Sequence, residues 1–190
     1  MVPLPPIAPF YLMLATLTPA FAAADMTSEQ SFETCSMITS EYVTVLQLVA
    51  KGFSKSQLTE SLPGLSPAAE KRVTTLFDAA TASKSALVDT FSAVNAEYAK
   101  CSKRVYDRSG RPPPASRESH FYFCAGENKL RYEVLISATL DAPISKVLPQ
   151  LPATREPIAR AIYDLYHSDG VTAAFDAIGD ELKYCLNGQG

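Results

Sequence analysis

The stretch CSMITSEYVTVLQLVAKGFSKSQLTESLPGLSP, residues 35–67, sets a helical reading for the whole chain. Cys35, Ile38, Tyr42, Val45, Leu46 and Val49 recur at intervals of three and four, the stripe of an amphipathic helix. Lys51-Gly52 ends that helix, because glycine takes the left-handed cap conformation without strain. Ser54 then caps a short helix holding Leu58 and Leu62, which Pro63-Gly64 stops. Ser66-Pro67 opens a third helix: serine accepts orphan amides and proline suits the first helical position. That helix carries Val73, Leu76 and Phe77, and a fourth runs through Leu87, Val88, Phe91, Val94 and Tyr98 to Cys101.

The same plan recurs. Shifting the later half back by 89 positions lays Cys124 on Cys35, Val134-Leu135 on Val45-Leu46, Ser145 on Ser56, and Leu151-Pro152 on Leu62-Pro63. After a short deletion, a shift of 84 lays Phe175, Glu181 and Cys185 on Phe91, Glu97 and Cys101. Tyr132, Leu135, Ile136 and Leu140 form the first stripe of the second copy, and Asp141 with Pro143 starts its short helix. Ile158, Ile162, Leu165 and Tyr166 mark the third helix, and Phe175, Ile178, Leu182 and Cys185 the last. No alternating strand pattern competes. The expected fold is all-α, two tandem copies of a three-to-four-helix disulfide-stapled unit.

The divisions expected are a signal peptide at 1–24, a first repeat at 25–103, a basic proline-rich linker at 104–119 and a second repeat at 120–187. Ile7 to Ala24 is apolar and ends in Ala20-Phe21-Ala22, the h-region and cleavage site of an export signal. No Lys or Arg precedes it, and Pro19 interrupts a stretch already short for a membrane span. The expected location is therefore periplasmic or secreted, with no stable membrane insertion after cleavage and a mature start near Ala23. In the linker, Pro112-Pro113-Pro114 favours an extended, solvated connector; alternatively Arg104, Arg108 and Arg111 offer a docking surface for an acidic partner.

Four cysteines suit an oxidising compartment. If each unit is self-sufficient, the bonds are Cys35–Cys101 and Cys124–Cys185. The competing arrangement nests Cys101–Cys124 inside Cys35–Cys185. No C-x-x-C or zinc-type spacing is present, so neither metal nor cofactor is expected.

Net charge of −3 gives no field for nucleic acid, which is not expected as a partner. The two histidines, His120 and His167, are the only imidazole bases, and neither sits in a nucleophile motif. His167, near Asp164 and Asp169, is the best centre for an enzyme of unfamiliar type; otherwise no catalytic residue is assigned. Tyr166, His167 and Asp169 are alternatively a partner-binding surface. Asp176 and Asp180 lie one helical turn apart with Glu181 adjacent, and the three read as a solvated acidic face.

An opening cysteine in an amphipathic helix, Lys51-Gly52-Phe53-Ser54-Lys55, a helix ending in Leu-Tyr or Leu-Phe, and a closing cysteine form the pattern of one copy. It resembles small bacterial periplasmic helical proteins, including immunity proteins for type VI secretion amidase effectors. The second copy departs from it, with Leu140-Asp141-Ala142 in place of Lys51-Gly52-Phe53. The resemblance implies an exported protein-binding module whose partner is a secreted toxin. The alternatives to it are a structural envelope protein, a small-ligand carrier with an apolar cavity between the repeats, or the enzyme centred on His167.

Overall fold

Serine side chains start most of the long helices. Ser31 accepts from the Thr34 amide, Ser66 from Ala69 and Ser116 from Ser119, each satisfying a donor that the first helical turn leaves unpaired. Ser54 and Gln57 form a reciprocal capping box. The computed structural model describes residues 30–62 and 64–188; the expected signal at 1–24 lies outside them. The elements are α1 (Phe32–Ala50), α2 (Lys55–Ser61), α3 (Pro67–Thr81), α4 (Ala86–Ser109), α5 (Arg117–Thr139), α6 (Ile144–Val147) and α7 (Glu156–Asn187). Two short 3-10 turns, Leu148–Gln150 and Ala153–Arg155, join α6 to α7. Among the described residues there is no β-strand, and no helix is long and apolar enough to cross a membrane.

Four long segments make a bundle: α1, α4, α5 and the part of α7 beyond Gly170. Side-chain contacts fix their directions. Ser36 meets Tyr98 while Cys35 meets Cys101, so α1 and α4 run antiparallel. Ser92 bonds Tyr132 and Asn128 bonds Asn95, which makes α4 and α5 antiparallel. Arg131 reaches Glu181 while Cys124 meets Cys185, so α5 and α7 are antiparallel as well. Helix α3 packs outside on α1 and α4, and α6 on α5 and α7.

The sulfur atoms pair as Cys35–Cys101 and Cys124–Cys185, with Cα separations of 5.9 and 5.8 Å, and none of the four cysteines is free. Of the two arrangements weighed from the sequence, the bonds within each unit are present. One hydrophobic core runs through both halves and includes Leu46, Phe91, Leu135 and Phe175. Phe91 and Phe175 stack with ring centroids 5.2 Å apart, so α4 and α7 meet directly at the centre.

The buried face of α1 is not purely apolar. Ser36, Thr39 and Gln47 are buried, and each is satisfied. Thr39 returns its hydroxyl to the Cys35 carbonyl, and Gln47 donates to the Asp176 carbonyl and to Asp180 while accepting from Lys183. Lys183 and Gln47, both hydrogen-bonded to Asp180, hold that carboxyl below its ordinary range despite partial burial. Close approach of α7 to α1 depends on Gly179: a Cβ there would lie 2.5 Å from Cγ1 of Val43 and 3.0 Å from Nε2 of Gln47. Val43 is stiff and buried, so it has little room to retreat. Overpacking of this kind costs about 1–3 kcal/mol, against a gain in helix propensity of about 1 kcal/mol from Gly to Ala. Gly179→Ala is therefore expected to destabilise by about 1 kcal/mol in urea unfolding, where propensity alone gives the opposite sign.

Ser36 and Tyr98 make a buried hydroxyl pair at 2.7 Å, and Ser36 also donates to the Phe32 carbonyl. Burial pushes the Tyr98 phenol up to about 12, with the Ser36 hydrogen bond opposing the shift. A folded value above the unfolded 10.0 means stability is complete below pH 10 and is lost as pH rises toward 12. Between pH 9 and pH 11 the loss is expected to be roughly 1.4 kcal/mol. Tyr98→Phe should remove this share of the alkaline slope in unfolding curves measured across that interval, leaving the part due to Tyr42 and Tyr163, whose phenols burial also raises.

Several boundaries differ from the sequence reading. The segment 104–119 is not a continuous linker: α4 continues to Ser109 and α5 begins at Arg117. Val105 is buried, and Lys103–Asp107 and Arg104–Glu97 ion pairs run along the extension, so it is held as helix. Gly110, with φ 72°, ends it. The third and fourth helices expected in the second copy form one helix, α7, bent at Gly170, whose φ of 87° glycine tolerates. Leu140, expected in a buried stripe, is the C-cap of α5 and is 74% exposed. Asp141 does not cap α6; it has φ 56°, and Pro143 stands at the N-cap.

Candidate functional site

The N-terminal part of α5 presents His120, Phe123, Cys124, Glu127, Asn128 and Arg131 on one side, the spacing of a single helical face. Opposite them stand Glu181, Leu182, Tyr184 and Cys185 near the end of α7, with Gly188 beyond. Between the two faces lies a groove of about 390 Å³. Its rim is apolar and open to solvent: Phe123 is 54% and Tyr184 80% exposed. Aromatic side chains of this size are enriched where proteins meet other proteins and are uncommon on bare surface.

Below the rim the groove is polar. Arg131 bonds Glu127 at 2.9 Å and reaches Glu181 at 3.3 Å, while Arg155 pairs with Glu127 at 2.5 Å. Glu127 and Arg131 are largely buried, which leaves Glu181 as the carboxylate facing solvent. Asn128 is only 3% exposed. Its orientation follows from a chain of hydrogen bonds that begins at a carbonyl. Phe91 O accepts from Asn95 Nδ2, so Asn95 Oδ1 accepts from Asn128 Nδ2 at 2.8 Å. Oδ1 of Asn128 is then left buried without a partner. His120 Nε2 lies 3.8 Å from Sγ of Cys124.

The residues singled out from the sequence do not converge. Arg104 is paired with Glu97 at 2.7 Å, and Arg108 donates to the Gln30 carbonyl, anchoring the chain just ahead of α1. Arg111 is exposed in the connector at 110–116. Tyr166, His167 and Asp169 precede the bend at Gly170, and Cys185 stands fifteen residues beyond it, about 22 Å along a straight helix. The basic set and the Tyr166 set thus occupy opposite ends of the bundle.

The His167 centre lacks the geometry of a catalytic group. Nδ1 of His167 bonds the Tyr163 carbonyl one turn back, at 2.6 Å, and the ring packs edge-on against Tyr166. The Asp169 carboxylate accepts from Ser168, and the Asp164 carbonyl also accepts from Ser168. No hydrogen bond or ion pair joins His167 to either carboxylate among the described residues, so no base is oriented by an acid. Asp176, Asp180 and Glu181 also separate: the Asp180 carboxylate faces α1 through Gln47, Asp176 meets Gln47 only by its backbone carbonyl while its Oδ1 is buried without a partner, and Glu181 faces α5. Among the described residues no three His, Cys, Asp or Glu side chains are placed to hold a metal ion.

Sequence reasoning passed over Phe123, Asn128 and Tyr184. A signal was present, in the run His120, Phe123, Glu127 and Arg131 at three- and four-residue spacing. It was hidden because polar and apolar residues share that face. No protein-family model, curated protein or solved structure matches the chain.

Proposed function

We propose that this chain is an exported protein-binding module built from two tandem copies of one helical unit, with the α5–α7 groove as its contact surface. The observation that carries the binding reading is the pair of exposed aromatics, Phe123 and Tyr184, lining one groove. The helices beneath them are joined by a disulfide, so the rims are presented with little loss of freedom on association. Two disulfides agree with an oxidising compartment, in keeping with the apolar segment at Ile7–Ala24. The partner implied by the resemblance is a secreted toxin, and the chain then acts as a periplasmic immunity protein.

The duplication has support from the order of elements. Helices α1 and α5 each carry an opening cysteine and a buried Val-Leu pair, Val45-Leu46 and Val134-Leu135. The short α2 corresponds to α6 with its following 3-10 turn, and both stand just before Leu-Pro. Helix α3 corresponds to the first part of α7, and α4 to the part that ends with Cys185. Phe91 and Phe175 occupy equivalent positions and touch each other, as expected where two copies are related by an approximate twofold axis.

The test is co-expression of the full chain with periplasm-directed products of the secreted effector genes beside its own. Growth rescue and a complex that co-purifies are expected. Phe123→Ser with Tyr184→Ser should abolish both without lowering Tm. Absence of both growth rescue and a co-purifying complex with every one of those effectors overturns the reading. Export is checked by N-terminal sequencing of the periplasmic protein, which should begin near Ala23; recovery of intact Met1 in the cytoplasm contradicts it.

A further inference from the structure

The two disulfides are not equivalent in their surroundings. Cys35 and Cys101 are both buried, and neither lines a groove among those described. Cys124 is equally buried, but Cys185 is only partly covered, and both line the groove between α5 and α7. His120, one helical turn before Cys124, brings Nε2 to 3.8 Å from its sulfur. The corresponding position ahead of Cys35 is Ser31, whose hydroxyl is engaged at the N-cap of α1.

Thiol–disulfide exchange needs an attacking thiolate with access to one sulfur and a leaving sulfur whose developing negative charge is stabilised. The groove supplies the first at Cys185, and the imidazole of His120 supplies the second at Cys124. We propose that Cys124–Cys185 is a thiol-exchange site for low-molecular-weight thiols, whereas Cys35–Cys101 is a structural bond closed to them.

The electrons balance in two steps. The thiolate of the small thiol attacks Sγ of Cys185, forming a mixed disulfide; the Cys124–Cys185 bond breaks and its electron pair stays on Sγ of Cys124. His120 passes a proton from Nε2 to that sulfur and takes one back from water. A second small thiolate then attacks the small-thiol sulfur of the mixed disulfide, releasing Cys185 as a thiolate that takes a proton from water. The small thiols leave as their oxidised disulfide, and the chain has gained two electrons and two protons. Opening the bond removes the covalent tie between the end of α7, which carries Tyr184, and α5. The other staple stays closed. This inference does not depend on the partner assigned above.

The experiment uses the full disulfide-bonded protein under native conditions with graded reduced glutathione. Aliquots are quenched with N-ethylmaleimide and mapped by peptide mass spectrometry. Alkylation of Cys124 and Cys185 is expected at least tenfold faster than that of Cys35 and Cys101, with a glutathione adduct trapped on Cys185. His120→Gln should slow opening of Cys124–Cys185 several-fold while leaving Tm and the rate at Cys35–Cys101 unchanged. Equal rates at the two bonds, earlier opening of Cys35–Cys101, an adduct on Cys124, or a rate indifferent to His120→Gln each overturns the assignment.

Discussion

Replacing Cys35 and Cys101 together by alanine is expected to lower the unfolding free energy by about 4 kcal/mol, the loop-closure entropy returned to an unfolded chain by opening a ring of this size. The sequence separation is 66 residues, and the bond closing 61 residues between Cys124 and Cys185 carries a similar amount. Loss of the buried sulfurs adds to this, since Cys35 and Cys101 belong to the hydrophobic core. Removing both bonds therefore subtracts about 8 kcal/mol, comparable with the whole stability of an ordinary domain, about 5–15 kcal/mol. The four-alanine variant should lack a cooperative unfolding transition at 37 °C, and each two-alanine variant should keep one with a lowered urea midpoint. Circular dichroism with urea titration reads both outcomes. A pair of two-alanine variants as stable as the parent would show that the bonds contribute nothing to the fold.

The staples could be anticipated because a repeated cysteine is a simple signal: Cys35 and Cys124 fall at one shift, and Cys101 and Cys185 at another. Helix starts were legible for the same reason, since Ser54 and Ser66 act within four residues of themselves. The buried face of α1 was less so. Counting apolar side chains places its centre near Ile38 and Tyr42, whereas the structure buries Ser36, Thr39, Val43 and Gln47. A buried hydroxyl or amide is stable only because of a partner distant in sequence, as Gln47 is with Asp176, and a local pattern carries no trace of that partner. The end of α4 was misplaced because cationic residues beside a proline run resemble a solvated loop. Their ion pairs with Glu97 and Asp107 appear only once the chain is wound into a helix.

The same limit applied to the groove. His120 and Glu127 lie on a helix whose apolar and polar residues are mixed, so its faces are not separable by hydropathy. Tyr184 is 80% exposed although Leu182, two residues before it, is buried, and hydropathy does not separate the two. By contrast, the residues favoured from sequence were those with charge next to turn-forming neighbours. Arg108 donates to the Gln30 carbonyl and the His167 ring bonds the Tyr163 carbonyl, in both cases satisfying backbone.

Phe91→Ala is expected to cost about 3–5 kcal/mol, the range for emptying a fully buried aromatic site. Phe91 has no exposed surface, and its ring stacks on Phe175 with an interplanar angle of 9°. Phe175→Ala should cost a similar amount, because it removes the other half of the same contact. In a double-mutant cycle the two losses should fall short of additivity by about 1 kcal/mol, reflecting the ring–ring interaction. The coupling matters more than either loss. Phe91 belongs to the segment closed by Cys35–Cys101 and Phe175 to the one closed by Cys124–Cys185, so a non-zero coupling energy means that the two stapled segments fold as one unit. Amide exchange gives a second reading of the same point. With a shared core, Phe91→Ala should lower protection in α5 and α7 as much as in α1 and α4. Loss confined to α1 and α4, together with strict additivity, would mean that each segment is stable alone and that the Phe91–Phe175 stack is only a contact between neighbours.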